Sequence, residues 1–188
     1  AVRDDHVGAQ RVEPLHHLGG RGQHRQLRPH DARDGRTIVF DLMGDLFTVP
    51  ITGGNATQLT KGMAFDGQPR YSPDGRKIVF VSDRSGGDNL WTLDVAKGDT
   101  TQLTKGNGNA WMSPDWTPDG NYVVASKGDT RLGGVRLWMG HINGGAGTQI
   151  HKTPATLKTN GAAVSPDGRY LYYSKDVTPG LTFEYNKD

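Results

Sequence analysis

The stretch SPDGRKIVFVSDRSGGDNLWTLDV, residues 72–95, holds two runs of β-branched and aromatic residues separated by turn-forming residues. Its opening recurs as DGRTIVF at 34–40, TPDGNYVVA at 117–125 and SPDGRYLYY at 165–173. The glycines of the four copies, Gly35, Gly75, Gly120 and Gly168, are spaced by 40, 45 and 48 residues. The stretch is therefore one copy of an internal repeat.

Two further marks recur in phase with this turn. One reads LFTVPI at 46–51, LWTLDV at 90–95 and LWMGHI at 137–142; the other reads QLTKG at 58–62 and 102–106, with TQIHK at 148–152. A period of about 40 to 50 residues is typical of β-propellers, in which each repeat forms one four-stranded antiparallel sheet, or blade. The sequence thus predicts an all-β fold, with residues 34–188 forming a partial propeller of about three full repeats and part of a fourth.

Each repeat supplies four strands, the first of which ends just before the Ser/Thr-Pro-Asp-Gly turn. Because side chains alternate between the two faces of a strand, Tyr71, Trp116 and Val164 are predicted to face between blades and to pack in the core.

Residues 1–33 differ from the rest of the chain. They contain five of the seven histidines and no Phe, Trp or Tyr, and they show neither strand alternation nor a helical apolar stripe. Where other repeats read Ser-Pro or Thr-Pro before Asp-Gly, this one reads Ala32-Arg33. We expect an irregular segment, either disordered or not native to a propeller, and the histidine spacing offers no metal-site geometry.

Composition excludes several classes of partner. The net charge of +2 lies within residues 1–36, and the remainder is balanced, so no basic field for nucleic acid is expected. No apolar run approaches the length of a membrane helix, and no signal-peptide pattern opens the chain. Without cysteine, disulfides and thiol chemistry are impossible.

Catalytic motifs are absent from the sequence. It contains no His-x-His metal pair, no Gly-x-Ser-x-Gly nucleophile turn and no His-Glu-x-x-His. We therefore predict that this chain by itself is not an enzyme and uses neither a metal nor a cofactor.

The sequence favours binding at the central channel as the activity of this chain. The loops that lead into the innermost strands of a propeller gather at one mouth of its channel. The polar and aromatic residues predicted to line this mouth are Asp66, Gln68, Arg70, Asn109, Trp111 and Asp115. The alternative is that they cap strands and fill turns.

The stretch 72–95, followed by QLTKG, resembles the TolB-like β-propeller repeat of the WD40-like PD40 type. More narrowly, DGRTIVFDLMGDLFTVPITGG, AFDGQPRYSPDG and LWMGHINGGAGTQI resemble the propeller that precedes the amidohydrolase domain of large bacterial hydrolases. Related propellers also precede serine peptidases of the prolyl oligopeptidase type and occur in TolB itself. The resemblance implies a bacterial protein that is periplasmic or secreted.

Two functions follow from this resemblance. The first is a non-catalytic propeller segment that scaffolds or gates an attached hydrolase, an amidohydrolase in preference to a serine peptidase. The second is a TolB-like periplasmic propeller that binds other proteins. Because propellers of this type close with six or more blades, we expect a fragment of a longer chain, with open blade edges that favour self-association.

Overall fold

The computed structural model describes residues 30–31, 35–128, 134–150 and 158–175. None of these residues is helical, so this part of the chain offers no helix that could cross a membrane. The strands form three four-stranded antiparallel sheets and one two-stranded sheet. The predicted all-β fold with repeated four-stranded blades is confirmed.

The strands follow the repeats along the chain. Blade 1 contains β1 (His30–Asp31), β2 (Thr37–Leu42), β3 (Asp45–Pro50) and β4 (Thr57–Gln58). Blade 2 contains β5 (Asp66–Tyr71), β6 (Lys77–Ser82), β7 (Asn89–Asp94) and β8 (Thr100–Gln102). Blade 3 contains β9 (Ala110–Trp116), β10 (Tyr122–Gly128), β11 (Val135–His141) and β12 (Thr148–Gln149), and blade 4 contains β13 (Thr159–Val164) and β14 (Leu171–Lys175).

Within each blade, consecutive strands are neighbours, so the first strand lies at one edge of the sheet. The first strand of each blade contacts the first strand of the next: β5 contacts β9, and β9 contacts β13. This arrangement is expected for inner strands around a channel. Strand β1 lies inside the segment 1–33 that the sequence sets apart: His30 is opposite Val39 and Asp31 is opposite Ile38. Residues 1–29 lie outside the described part of the chain.

The recurring turn is held by the same hydrogen bonds in three blades. In blade 2, the Ser72 hydroxyl donates to Asp74 Oδ1 at 2.6 Å and accepts the Lys77 N–H at 2.9 Å. Thr117 and Ser165 make the equivalent bonds in blades 3 and 4. The hydroxyl bonds hold the pKa of all three turn aspartates, Asp74, Asp119 and Asp167, below the ordinary value of an aspartate.

Each of the three fully described inner strands is bulged at the same place. Gln68, Ser113 and Gly161, three residues before Tyr71, Trp116 and Val164, have φ angles of 57°, 50° and 68°. The pairing register shifts at these positions in all three blades. A side chain at positive φ is strained, so the bulge is imposed on Gln68 and Ser113 by the blade around them.

The core consists of three clusters, each between two consecutive blades. Tyr71 packs in the first cluster, Trp116 in the second, and Val164 borders the third. Trp116 is only 5% exposed and contacts a cluster that contains Val79 and Val81 of blade 2. The prediction that these three positions face between blades is confirmed.

Candidate binding site at the channel mouth

The six residues predicted to line the mouth lie on or beside the inner strands β5 and β9. Counted back from Tyr71 and Trp116, Asp66 is equivalent to Trp111, and Arg70 is equivalent to Asp115. Gln68 lies at the bulge of β5, and Asn109 directly precedes β9. The fold therefore brings all six to two neighbouring strands, but their side chains differ in accessibility.

Asp66 is fully buried and paired with a cation. Arg84 Nη2 lies 2.6 Å from Asp66 Oδ2, and the same guanidinium donates to the hydroxyls of Ser82 and Thr100. The guanidinium carbon lies 5.3 Å from the ring centre of Phe80 and 5.0 Å from that of Trp91. Arg84 thus spans blade 2 from Asp66 on β5 to Thr100 on β8, and it neutralises the buried carboxylate within the blade.

Asn109 belongs to a network of side-chain amide hydrogen bonds. Its Nδ2 donates to Asn89 Oδ1 at 3.1 Å and to the Lys105 carbonyl at 2.9 Å. Asn89, itself fully buried, donates to Ser85 Oγ and to the carbonyls of Gly87 and Gly106. This network connects the loop before β9 to the β6–β7 loop, so Asn109 positions the start of β9.

Gln68 and Asp115 join neighbouring inner strands. Gln68 Oε1 accepts the backbone N–H of Ser113 at 2.5 Å, and Asp115 Oδ2 accepts that of Val164 at 2.8 Å. Each bond connects a side chain of one blade to the inner strand of the next. These two residues therefore set the spacing of the inner strands around the channel.

Arg70 is the most available charged group of the six. It is partly exposed, its backbone carbonyl accepts the indole N–H of Trp116, and its guanidinium makes no ion pair within the described part of the chain. On the neighbouring inner strand, Asp115 occupies the equivalent position with the opposite charge. Arg70 and Asp115 thus place opposite charges at equivalent positions of adjacent inner strands.

Trp111 points away from solvent. It is buried between blades 2 and 3, where its ring makes an edge contact with Trp138 at 6.4 Å. Among the described residues, its Nε1 has no hydrogen-bond partner. Trp111 therefore belongs to the interface between blades, beside the channel mouth.

A pattern missed by the sequence reasoning joins three inner strands. Asp66, Trp111 and Thr159 all lie five residues before the core position of their strand, and each has a buried polar atom without a partner among the described residues: Oδ1, Nε1 and Oγ1. Buried polar groups of this kind are normally satisfied by ordered water or a ligand. Aligning the strands on the turn would have identified Thr159, which the sequence alone gave no chemical reason to select.

In the described part of the chain, no three His, Asp or Glu side chains come together as metal ligands. The six predicted residues instead supply hydrogen-bonding groups and charges of both signs, and their role in binding a ligand stays a prediction.

Residues 27–180 match the family described as the Tricorn protease N-terminal beta propeller domain. Among curated proteins, an uncharacterised protein of Agrobacterium fabrum is 28% identical over 109 residues, 56% of this chain and 34% of that protein. Tricorn protease homolog 1 of Streptomyces coelicolor is 28% identical over 92 residues, 49% of this chain and 9% of that protein. The Tol-Pal system protein TolB of Bordetella pertussis is 36% identical over 58 residues, 30% of this chain and 13% of that protein.

Solved structures share the fold. A candidate TolB from Agrobacterium tumefaciens superposes with a TM-score of 0.66 at 23% identity, covering 84% of this chain and 61% of that one. A puromycin hydrolase superposes with a TM-score of 0.54 at 21% identity, covering 72% of this chain and 24% of that one. The chain thus spans at most 34% of these curated relatives and less than two thirds of these solved chains.

Proposed function

Because the chain belongs to the family of the Tricorn protease N-terminal beta propeller domain, we propose that it is a non-catalytic propeller segment that scaffolds and gates an attached amide-bond hydrolase. The family match over residues 27–180 carries this proposal. The resemblance of the repeat sequences favours an amidohydrolase as this attached enzyme. A serine peptidase, which also hydrolyses amide bonds, is the alternative. The whole protein is exported to the periplasm or secreted.

The names of two relatives support a hydrolase partner. One is a Tricorn protease homolog and the other a puromycin hydrolase, and this chain covers 9% and 24% of them. In both, most of the protein therefore lies outside the matched segment. A propeller placed beside a catalytic domain can control access through its channel, since the channel admits only what fits between the inner strands.

The outer face of blade 4 supports a longer array of blades. The position five residues after the turn aspartate is buried in three blades: Val39 and Val79 are 0% exposed and Val124 is 2% exposed. In blade 4 the same position is Tyr172, which is 62% exposed, and its neighbour Tyr170 is 58% exposed. Exposed aromatic side chains at a core position need a covering surface.

We propose that a further blade of the whole protein covers this face. In the chain alone, the partly exposed Phe40 and Phe47 on the outer face of blade 1 offer a second apolar surface. Blade 4 of one copy can then pack on blade 1 of another. Light scattering on the 188-residue chain should show association that weakens on dilution and is lost in a Tyr172→Lys variant; a strict monomer at high concentration would contradict this.

The hydrolase proposal is tested on the whole protein and on a version that lacks residues 27–180. We expect the whole protein to hydrolyse a small chromogenic amide and to discriminate against a long peptide, and the deletion to relax this discrimination. The 188-residue chain, assayed alone, is expected to give no turnover. A chelator or a serine-directed inhibitor then distinguishes an amidohydrolase from a serine peptidase.

A second function is favoured by the relatives named TolB. A TolB of Bordetella pertussis is 36% identical over 58 residues, and a candidate TolB gives a TM-score of 0.66. In this alternative the propeller acts by surface contacts with other proteins. A whole protein with no amide hydrolysis under any of these conditions would remove the first proposal and leave this one.

A further inference from the structure

One leucine of the interface between blades 1 and 2 has no counterpart in the interface between blades 2 and 3. LWTLDV at 90–95 and LWMGHI at 137–142 occupy the third strand of blades 2 and 3, so Leu93 corresponds to Gly140. Leu93 is 1% exposed and packs in the cluster between blades 1 and 2. Gly140, on β11, brings no side chain to the next interface.

The residue paired with this position is also smaller in blade 3. Leu93 lies opposite Ile78 in blade 2, whereas Gly140 lies opposite Val123 in blade 3. The missing volume is therefore concentrated at one cross-strand pair. A Cβ added at Gly140 would meet no atom within 4 Å, so the surrounding residues have not closed onto the glycine.

The space that remains is a recess between blades 2 and 3, called here the Gly140 recess. Its volume is about 30 Å³, room for about two water-sized groups. It opens beside Gly145, Ala146 and Gly147, which are exposed and carry at most a methyl group. Besides Gly140, its walls include the apolar side chains of the interface cluster, Leu90, Leu103, Trp111, Val123 and Trp138.

The polar side chains of the lining are engaged with other residues. Thr104 donates its hydroxyl to Asn89 Oδ1 at 3.1 Å. The His141 ring makes an edge contact with Tyr122, with ring centres 5.0 Å apart, and its Nδ1 accepts the Asn143 N–H. Buried water normally needs about two to four polar partners, so the Gly140 recess is better suited to apolar groups than to ordered water.

The surface around the opening favours a small molecule over a protein. Among the described residues, none of the exposed large apolar side chains lines the Gly140 recess. A docked protein would be expected to cover a wider apolar patch. A small molecule needs only the recess itself, with its remaining atoms in solvent above the glycine-rich rim.

We propose that the Gly140 recess binds a small molecule that carries a branched aliphatic chain. Its two terminal methyl groups take the space that the Leu93 side chain fills in the preceding interface, in contact with the apolar walls. The site is separate from the channel, and the proposal does not depend on the attached hydrolase.

The test titrates isoamyl alcohol, a neutral branched probe, into the 188-residue chain and follows the methyl signals of Leu90, Leu103 and Val123 by NMR. These signals should shift until the site is saturated. The linear isomer n-pentanol should bind about fourfold more weakly, the effect of burying one methyl group fewer.

Gly140→Leu supplies the missing side chain from the chain itself. The affinity for isoamyl alcohol should fall at least about tenfold, because the recess is filled. The melting temperature should rise in the same variant, so that the lost binding does not reflect unfolding. Val164→Leu is the control, since it adds apolar volume between blades 3 and 4, and it should bind the probe as the unaltered chain does.

Three results would overturn the proposal. One is a set of methyl signals that stays unchanged up to the solubility limit of isoamyl alcohol, as expected if water or another part of the chain fills the recess. Another is equal affinity of the unaltered chain for the branched and the linear alcohol. The third is undiminished binding in a folded Gly140→Leu variant, which would place the alcohol elsewhere.

Discussion

Replacing Trp116 with alanine removes one of the two buried tryptophans from the interface between blades 2 and 3. The indole is 5% exposed, packs with Val79 and Val81, and donates its N–H to the Arg70 carbonyl at 3.1 Å. Truncating a buried tryptophan costs about 3–5 kcal/mol, through lost burial and the cavity left behind. In a chain of this length the melting temperature should then fall by about 6–20 °C.

The free energy of unfolding would be measured by urea titration with far-UV circular dichroism. Trp116→Phe retains most of the apolar volume but leaves the Arg70 carbonyl without its donor, so we expect about 1–2 kcal/mol. Tyr170→Ala, at an exposed aromatic position, is the control and should change stability by less than about 0.5 kcal/mol in the dilute chain. A cost below about 1 kcal/mol for Trp116→Ala would refute the packing between blades.

Three other predictions concern charge and backbone. Arg84→Met leaves the Asp66 carboxylate buried and unpaired, so urea stability should fall by about 3–5 kcal/mol, and the added Asp66→Asn change should restore much of it. Gly87→Ala places a Cβ 3.0 Å from the Gly106 carbonyl oxygen and should destabilise, whereas Gly140→Ala, with nothing within 4 Å, should be nearly neutral in the same assay. The pKa of each turn aspartate is lower in the folded state, so these residues stabilise the fold fully above the unfolded pKa of about 3.9, and this stabilisation is lost as pH falls through the folded pKa values. The free energy of unfolding, measured from neutral to acidic pH, should therefore decrease over this range. Replacing Asp74, Asp119 and Asp167 together with Asn should make the pH dependence weaker.

The blade architecture was predictable because its signals are local. The Ser/Thr-Pro-Asp-Gly turn carries its own hydrogen bonds, and the apolar run after it alternates in step with the strand, so period and turn together indicate a blade. Trp116 and Tyr71 could be assigned to the core because they lie at fixed distances from that turn. Strand β1 was not predicted from the sequence, because Ala32-Arg33 stands where the other repeats have the Ser-Pro or Thr-Pro motif.

The chemistry of the mouth was harder to predict because it depends on contacts between distant residues. Asp66 is neutralised by Arg84, 18 residues away, and Gln68 reaches the inner strand of the next blade, 45 residues away. No sequence signal sets these partners. The bulge at Gln68 and Ser113 also violates the local preference for glycine at positive φ, which only the assembled blade can impose.

The most direct test of the account asks whether a further blade covers Tyr172 in the whole protein. Since the 188-residue chain contains no cysteine, Tyr172→Cys gives it a single reactive thiol, and Val95→Cys, in the exposed β7–β8 turn, gives a control; in the whole protein the labelling is followed at each of these two residues by peptide mass spectrometry. We predict that a maleimide labels the Tyr172→Cys variant rapidly in the dilute 188-residue chain and at least about tenfold more slowly in the whole protein, while Val95→Cys reacts alike in both. Equally fast labelling of the Tyr172→Cys thiol in the two proteins would contradict the proposal that this chain is part of a larger propeller.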